Sequence, residues 1–231
     1  MSSRVANSLD RHICRVPSQN NANLMVEALS RALAARDELT HEHAERVQTS
    51  ALTLAHEIGI TDAATLDAIC VAALLHDIGK LAIPDSVLNK PGPLTKEEYD
   101  HVKQHVVIGA DILSAVSFPA PLGLIVRHHH ENWDGTGYPD RLHGRDIPIG
   151  ARVLAIVDCY DALTSDRPYR RAISHGCAIA MIHDGRSRMY DPEIVEAFLG
   201  IVQRLRSGPR RDVSSRPQTR VTSRWLHARV V

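Results

Sequence analysis

Residues 63–80 read AATLDAICVAALLHDIGK, and this stretch decides the fold. Leu66, Ile69, Cys70, Ala73 and Leu74 recur at spacings of one, three and four, the period of a helix with a buried side. They predict a helix from about Ala63 to Ile78, ended by Gly79-Lys80. Upstream, Leu24, Ala28, Leu29, Ala32 and Leu33 predict a helix that stops before Arg36-Asp37-Glu38. Thr40 starts the next one, whose stripe of Val47, Ala51, Leu54, Ala55 and Ile58 runs to Gly59. Downstream, two prolines and Asn89-Lys90-Pro91-Gly92-Pro93 make a loop. Thr95 and Glu98 form a capping box that launches a helix through His101, His105, Ile108, Ile112 and Leu113. A further helix spans Pro121 to His130. Asn132 to Pro148 is a long Gly-, Pro- and Asp-rich loop, a kind of segment that usually serves function. Helical pattern resumes over Ala151–Leu163 and Ser174–His183, and again after the Asp191-Pro192 start signal. No run alternates apolar and polar over strand length. The reading is an all-α domain over residues 22–206, with a flexible arm at 1–21 and a basic, disordered tail at 207–231.

Composition narrows the function. The 231 residues carry 27 Lys+Arg and 27 Asp+Glu, so no global field holds nucleic acid or an anionic membrane. No apolar run approaches a spanning helix, and the first residues lack a signal-peptide core, so a cytoplasmic protein without membrane or specific nucleic-acid partners is expected. Cys14, Cys70, Cys159 and Cys177 lie far apart, which argues against a disulfide framework or a thiolate zinc site. Histidine is the anomaly: there are fourteen.

His76-Asp77 ends the apolar helix, where both side chains need partners. His43, His105, His129, His130 and Asp158 each lie on or beside the apolar stripe of their own helix, so they also project inward. Five imidazoles and two carboxylates in a helical core call for cations. Seven ligands exceed the needs of one ion, so two ions sharing a carboxylate is the simpler assignment. His12, His101, His143, His175, His183 and His227 read as solvated or locally bonded. His41 and His128 neighbour ligands in sequence, but they fall on other helical faces.

THEHAERV, LLHDIGKLAIPDSVLNKPGPLTKEEY, HHENWDGTGYP and VDCYDALTSDRPYR together resemble the HD-GYP phosphodiesterases, a branch of the HD superfamily of metal-dependent phosphohydrolases. The resemblance covers roughly residues 37 to 199. It implies an HD-type helical bundle with a functional GYP loop. It also implies hydrolysis of cyclic di-GMP to pGpG, in some members onward to GMP, at a centre of two or three metals. Carried over by motif, His43, His76, Asp77, His105, His129, His130 and Asp158 are the metal ligands, and Asp77 bridges the ions. Asp77 and Lys80 are then the catalytic residues, Lys80 meeting the scissile phosphate. Arg167 and Arg170 bind phosphate, and the resemblance suggests iron or manganese, with zinc compatible.

The residues themselves suit that chemistry. A guanidinium fork grips two phosphate oxygens at once. Gly137 allows close backbone approach, and Tyr138 offers a face for a guanine base. Arg46, three residues after His43, is expected to pair a carboxylate behind the metals. Leu39 stands where trinuclear members place a glutamate, so two ions are expected. Arg170 stands where lysine is common, and Ser187 where glycine is frequent. No sensor domain precedes the helices, so control is expected from a regulatory protein at the arm or the tail. Two rival readings are an HD-type hydrolase of another nucleotide and a catalytically silent cyclic di-GMP sensor.

Overall fold

The computed structural model describes residues 20–36, 38–115, 121–166 and 171–206. Among them are ten α-helices and no strand: α1 (Asn20–Arg36), α2 (Glu38–Glu57), α3 (Ala63–Leu75), α4 (Asp85–Leu88), α5 (Lys96–Lys103), α6 (His105–Ser114), α7 (Leu122–His128), α8 (Ile149–Thr164), α9 (His175–Asp184) and α10 (Pro192–Arg206). Short 3₁₀ turns lie at Ile78–Ala82 and Gly144–Asp146. The all-α expectation holds. Most of the arm and all of the tail lie outside the described residues.

The apolar helix read first is largely enclosed. Asp62 caps α3 by accepting from the Thr65 N–H at 2.8 Å, and every residue from Ala68 to Ala73 is buried. More enclosed still is α8, in which each residue from Gly150 to Leu163 except Arg152 is buried. It packs against α2, α3, α7, α9 and α10. Fully buried Leu54, Ile69, Leu75, Leu154, Ile156 and Phe198 anchor this core, each contributing about 1.5–3 kcal/mol by leaving water. Arg152 closes one end, bonding the Ile147 carbonyl at 2.9 Å and Asp191 at 2.7 Å just ahead of α10.

Several expectations need correction. Leu24 is 63% exposed, so the buried face of α1 begins at Val26 and centres on Leu33. The predicted helix through His105 is two helices. Its capping box is present at Thr95 and Glu98, but at Gln104 the chain tightens, with the N–H bonding His101 and Val102 carbonyls before α6 starts. Cys70 is disulfide-bonded, where the cysteine spacing argued against a disulfide framework. Cys159 and Cys177 form no disulfide.

The third helix also stops earlier than expected, at Leu75, and the chain turns through His76 and Asp77 into the 3₁₀ turn. Gly79 makes this turn possible. A Cβ there would stand 1.9 Å from the His105 carbonyl oxygen and 2.7 Å from the Gly109 nitrogen, both main-chain atoms of α6. Since no rotamer relieves a clash with backbone, Gly79→Ala is expected to cost at least about 3 kcal/mol, the upper end of ordinary overpacking. Urea unfolding measures this; a loss below about 1 kcal/mol contradicts it. The guanidinium of Arg36, last residue of α1, holds the far end of the turn through the Leu81 and Ile83 carbonyls.

Candidate metal centre

Helices α2, α3, α6, α7 and α8 converge on one buried cluster. His43 comes from the second turn of α2, His76 caps α3, and Asp77 follows it into the 3₁₀ turn. His105 opens α6, His129 caps α7 with His130 next, and Asp158 sits in the middle of α8. All seven are buried, none more than 7% exposed. The structure therefore brings together every ligand candidate read from the sequence. Ring centroids lie 5.5 Å apart for His43–His76, 5.2 Å for His76–His129, 5.2 Å for His105–His130 and 4.0 Å for His129–His130.

Two triads stand out. His43, His76 and Asp77 place one ligand atom each within 4.8 Å of one another, and so do His105, His129 and His130. Asp77 joins them: its Oδ2 lies 3.5 Å from His76 Nε2 and its Oδ1 3.6 Å from His105 Nε2. Asp158 Oδ1 lies 3.3 Å from His43 Nε2 and 3.8 Å from His76 Nε2.

Which nitrogen faces inward is set locally. His76 Nδ1–H donates to the Ala73 carbonyl at 3.0 Å, His105 Nδ1–H to Val102 at 2.8 Å, and His129 Nδ1–H to Val126 at 2.7 Å. Each reaches back three residues, a bond made available where a helical turn ends or tightens. The outer nitrogen is thereby spent, and Nε2 of His76, His105 and His129 is left buried without a hydrogen bond. Buried polar atoms are rarely left so. Lone pairs aimed at shared carboxylates fit divalent cations bound through Nε2, with the Nδ1 bonds as orienting partners. The residues present thus fit the metals the sequence implied.

Charge follows the same plan at His105 and His129. Burial, reinforced by His76 and His105, pushes His129 down to about 3. Burial pushes His105 down to about 4, with Asp77 opposing only in part. Both are neutral at pH 7 and ready to ligate. His43 is held up at about 9, since the carboxylates of Asp158 and Asp161 outweigh burial. Asp77 stays well below the usual carboxylate range: burial opposes ionisation, but Lys80 and three histidines overcome it. Asp158 is likewise depressed by His43 and His76 against its burial.

Around the cluster, Lys80 Nζ donates to Asp77 Oδ2 at 2.9 Å. Gly137 is buried with its backbone against Glu131 and Asn132, where a Cβ would fall 2.3 Å from the Asn132 nitrogen. Tyr138 stacks on His130 with centroids 5.1 Å apart, and Lys103 Nζ lies 5.9 Å from its ring centre. The loop is tied to the ligand-bearing α7. Tyr138 N–H bonds the His130 carbonyl, and Asp140 takes hydrogen bonds from Arg127 and His128. His128 thus turns to Asp140 and away from the cluster, as its helical phase implied. Sequence reading missed Glu131, buried and accepting from the Asp140 N–H at 2.7 Å, and it missed Asp161. Arg46 does pair a buried carboxylate, and that carboxylate is Asp161. Arg167, Arg170 and the side chain of Leu39 lie outside the described residues.

Comparison with known proteins agrees with this geometry. The model of the HD domain family matches residues 27–194. The chain belongs to the HD domain family. Its HD domain is 42% identical over 190 residues to a cyclic di-GMP phosphodiesterase of Thermotoga maritima, covering 81% of this chain and 51% of that one. It is 43% identical over 173 residues to the cyclic di-GMP phosphodiesterase response regulator RpfG of Xanthomonas campestris, covering 74% of this chain and 46% of that one. The chain thus spans about half the length of these curated relatives. The HD fold also superposes on a cyclic GMP-AMP specific phosphodiesterase structure from Vibrio cholerae, with TM-score 0.61 at 18% identity over 80% of this chain and 50% of that one.

Proposed function

We propose that this chain is a metal-dependent phosphodiesterase that hydrolyses cyclic di-GMP to pGpG, with residues 22–206 as the hydrolytic unit. The observation that carries the reading is the pair of ligand triads, in which the Nε2 atoms of His43, His76, His105 and His129 are buried without a hydrogen bond, joined by the two oxygens of Asp77. Relatives named for cyclic di-GMP hydrolysis support the substrate. His43, His76, Asp77, His105, His129, His130 and Asp158 hold two divalent ions, iron or manganese in the first place. When bound, such ions activate water and neutralise the charge that builds on the phosphate.

The chain's own groups do the rest. Lys80, its side chain 16% exposed beside Asp77, donates charge-assisted hydrogen bonds to the scissile phosphate. Arg167 and Arg170 take the remaining phosphate oxygens with their planar forks. The loop carrying Gly137 and Tyr138 receives a guanine. Among the described residues no helix is long and apolar enough to cross a membrane. A cytoplasmic protein, controlled through a partner at its arm or tail, is the accompanying reading.

The deciding experiment is chromatography of products from cyclic di-GMP after anaerobic, metal-replete purification. Formation of pGpG supports the reading. Tight binding with no product identifies a sensor instead, and turnover of only a different nucleotide moves the substrate within the same chemistry. Tyr138 has its own test. If it receives the base, Tyr138→Ala loses about 1–3 kcal/mol of cyclic di-GMP binding, the value of one base–aromatic stack. A generic activated phosphodiester should then be cleaved equally by both proteins. Equal losses on the two substrates mean that Tyr138 serves His130, on which it stacks.

A further inference from the structure

Three of the buried imidazoles are oriented by their own helix turn, but His43 is not. Its Nδ1 lies 2.8 Å from Asp161 Oδ2, a side chain of α8 that is 2% exposed. Arg46, one turn along α2 from His43, grips the same carboxylate with Nε on Oδ1 at 2.7 Å and Nη2 on Oδ2 at 2.9 Å. Ser165 adds a hydroxyl at 3.3 Å. Asp161 follows Asp158 by three residues, so both point from one face of α8. His43 is therefore held at Nδ1 by Asp161, while its Nε2, 3.3 Å from Asp158 Oδ1, is buried without a hydrogen bond. Turning the ring over would strip a buried anion of one of its donors, a costly change in low dielectric.

We infer that Asp161, braced by Arg46, is the positioning residue that holds His43 as an Nε2 ligand, and that the ion at His43, His76 and Asp77 depends on it while the ion at His105, His129 and His130 does not. The inference rests on the two-ion reading above. The physical asymmetry is plain. His105 and His129 draw their orientation from main-chain carbonyls of the helices that carry them, which no side-chain substitution removes. The orientation of His43 passes through two side chains that substitution can remove one at a time.

The test uses the full chain, stripped with a chelator and titrated with Mn²⁺ under equilibrium dialysis and electron paramagnetic resonance. Wild type is expected to take two ions and give a spin-coupled signal. Asp161→Ala should keep one ion at wild-type affinity and weaken the other by about 10- to 100-fold, the usual effect of losing an outer partner of a ligating histidine. Its signal at moderate Mn²⁺ should be that of an isolated ion. Asp161→Asn preserves shape and removes charge, and Arg46→Met leaves the carboxylate but frees it. Both should shift the same ion in the same direction, and they decide the matter if Asp161→Ala does not fold. Two ions at wild-type affinity in these variants overturn the inference, as does equal weakening of both ions. A wild-type chain that binds fewer than two ions overturns the two-ion reading itself, and this is seen before any variant is made.

Discussion

The double variant His76→Ala/Asp77→Ala is expected to lose all phosphodiester hydrolysis and both ions while its far-ultraviolet circular dichroism stays helical. Asp77 faces both triads, one oxygen to each, and His76 supplies an unbonded Nε2. Removing the two leaves neither ion its shared carboxylate. The helix tolerates the change because His76 is the C-cap of α3 and Asp77 lies beyond it. Elemental analysis should give two ions per wild-type chain and none per variant. Melting adds an independent readout, since an ion present at a hundred times its dissociation constant stabilises the folded state by about 2.7 kcal/mol. Chelation should therefore lower Tm for wild type and leave the variant unmoved. Three ions per wild-type chain, or turnover by the variant, contradicts this.

Lys80→Ala is expected to lower kcat on cyclic di-GMP by roughly 10²-fold or more, the size of losing one preorganised electrostatic stabiliser. Metal content should not change, because the seven proposed ligands do not include Lys80. Turnover should fall more than binding, since phosphate gains negative charge toward the transition state and the ammonium acts most strongly there. A variant that binds less but turns over at the wild-type rate places Lys80 in ground-state recognition. Stopped-time product assays on the same metal-loaded preparations separate the two outcomes.

Much of the cluster was legible because each candidate ligand lies on or beside an apolar stripe, where a polar residue needs a partner. Helical phase also separated His128 from His129, and the structure turns His128 to Asp140. Phase alone did not reveal the break at Gln104. Both halves of that segment continue one apolar pattern, and the interruption comes from a tightened turn at Gln104, where the Val102 carbonyl also accepts from His105 Nδ1–H. Leu24 misled for the opposite reason, sharing a stripe with Leu33 although the core ends before reaching it. Asp161 carried a weak signal, three residues after a ligand, that many ordinary helical aspartates share. Only the position of α8 against α2 gives it its partners. Tyr138 was read as offering a face for a guanine base, and the structure adds that its ring stacks on His130.

Gly79 and Gly109 meet main chain to main chain, with Gly79 N 3.3 Å from where a Cβ on Gly109 would stand. Asp77 and Lys80 ride on one side of that meeting and His105 on the other. In engineering language, the dimension that matters most, the separation of the two triads, is referenced to a hard stop with no side chain between the parts. Side chains hop rotamers and repack, whereas touching backbones do not, so this gauge holds within the few tenths of an ångström that a working site demands. On the two-ion reading proposed above, such a gauge would select ions that suit its one spacing, without any further residue devoted to the choice.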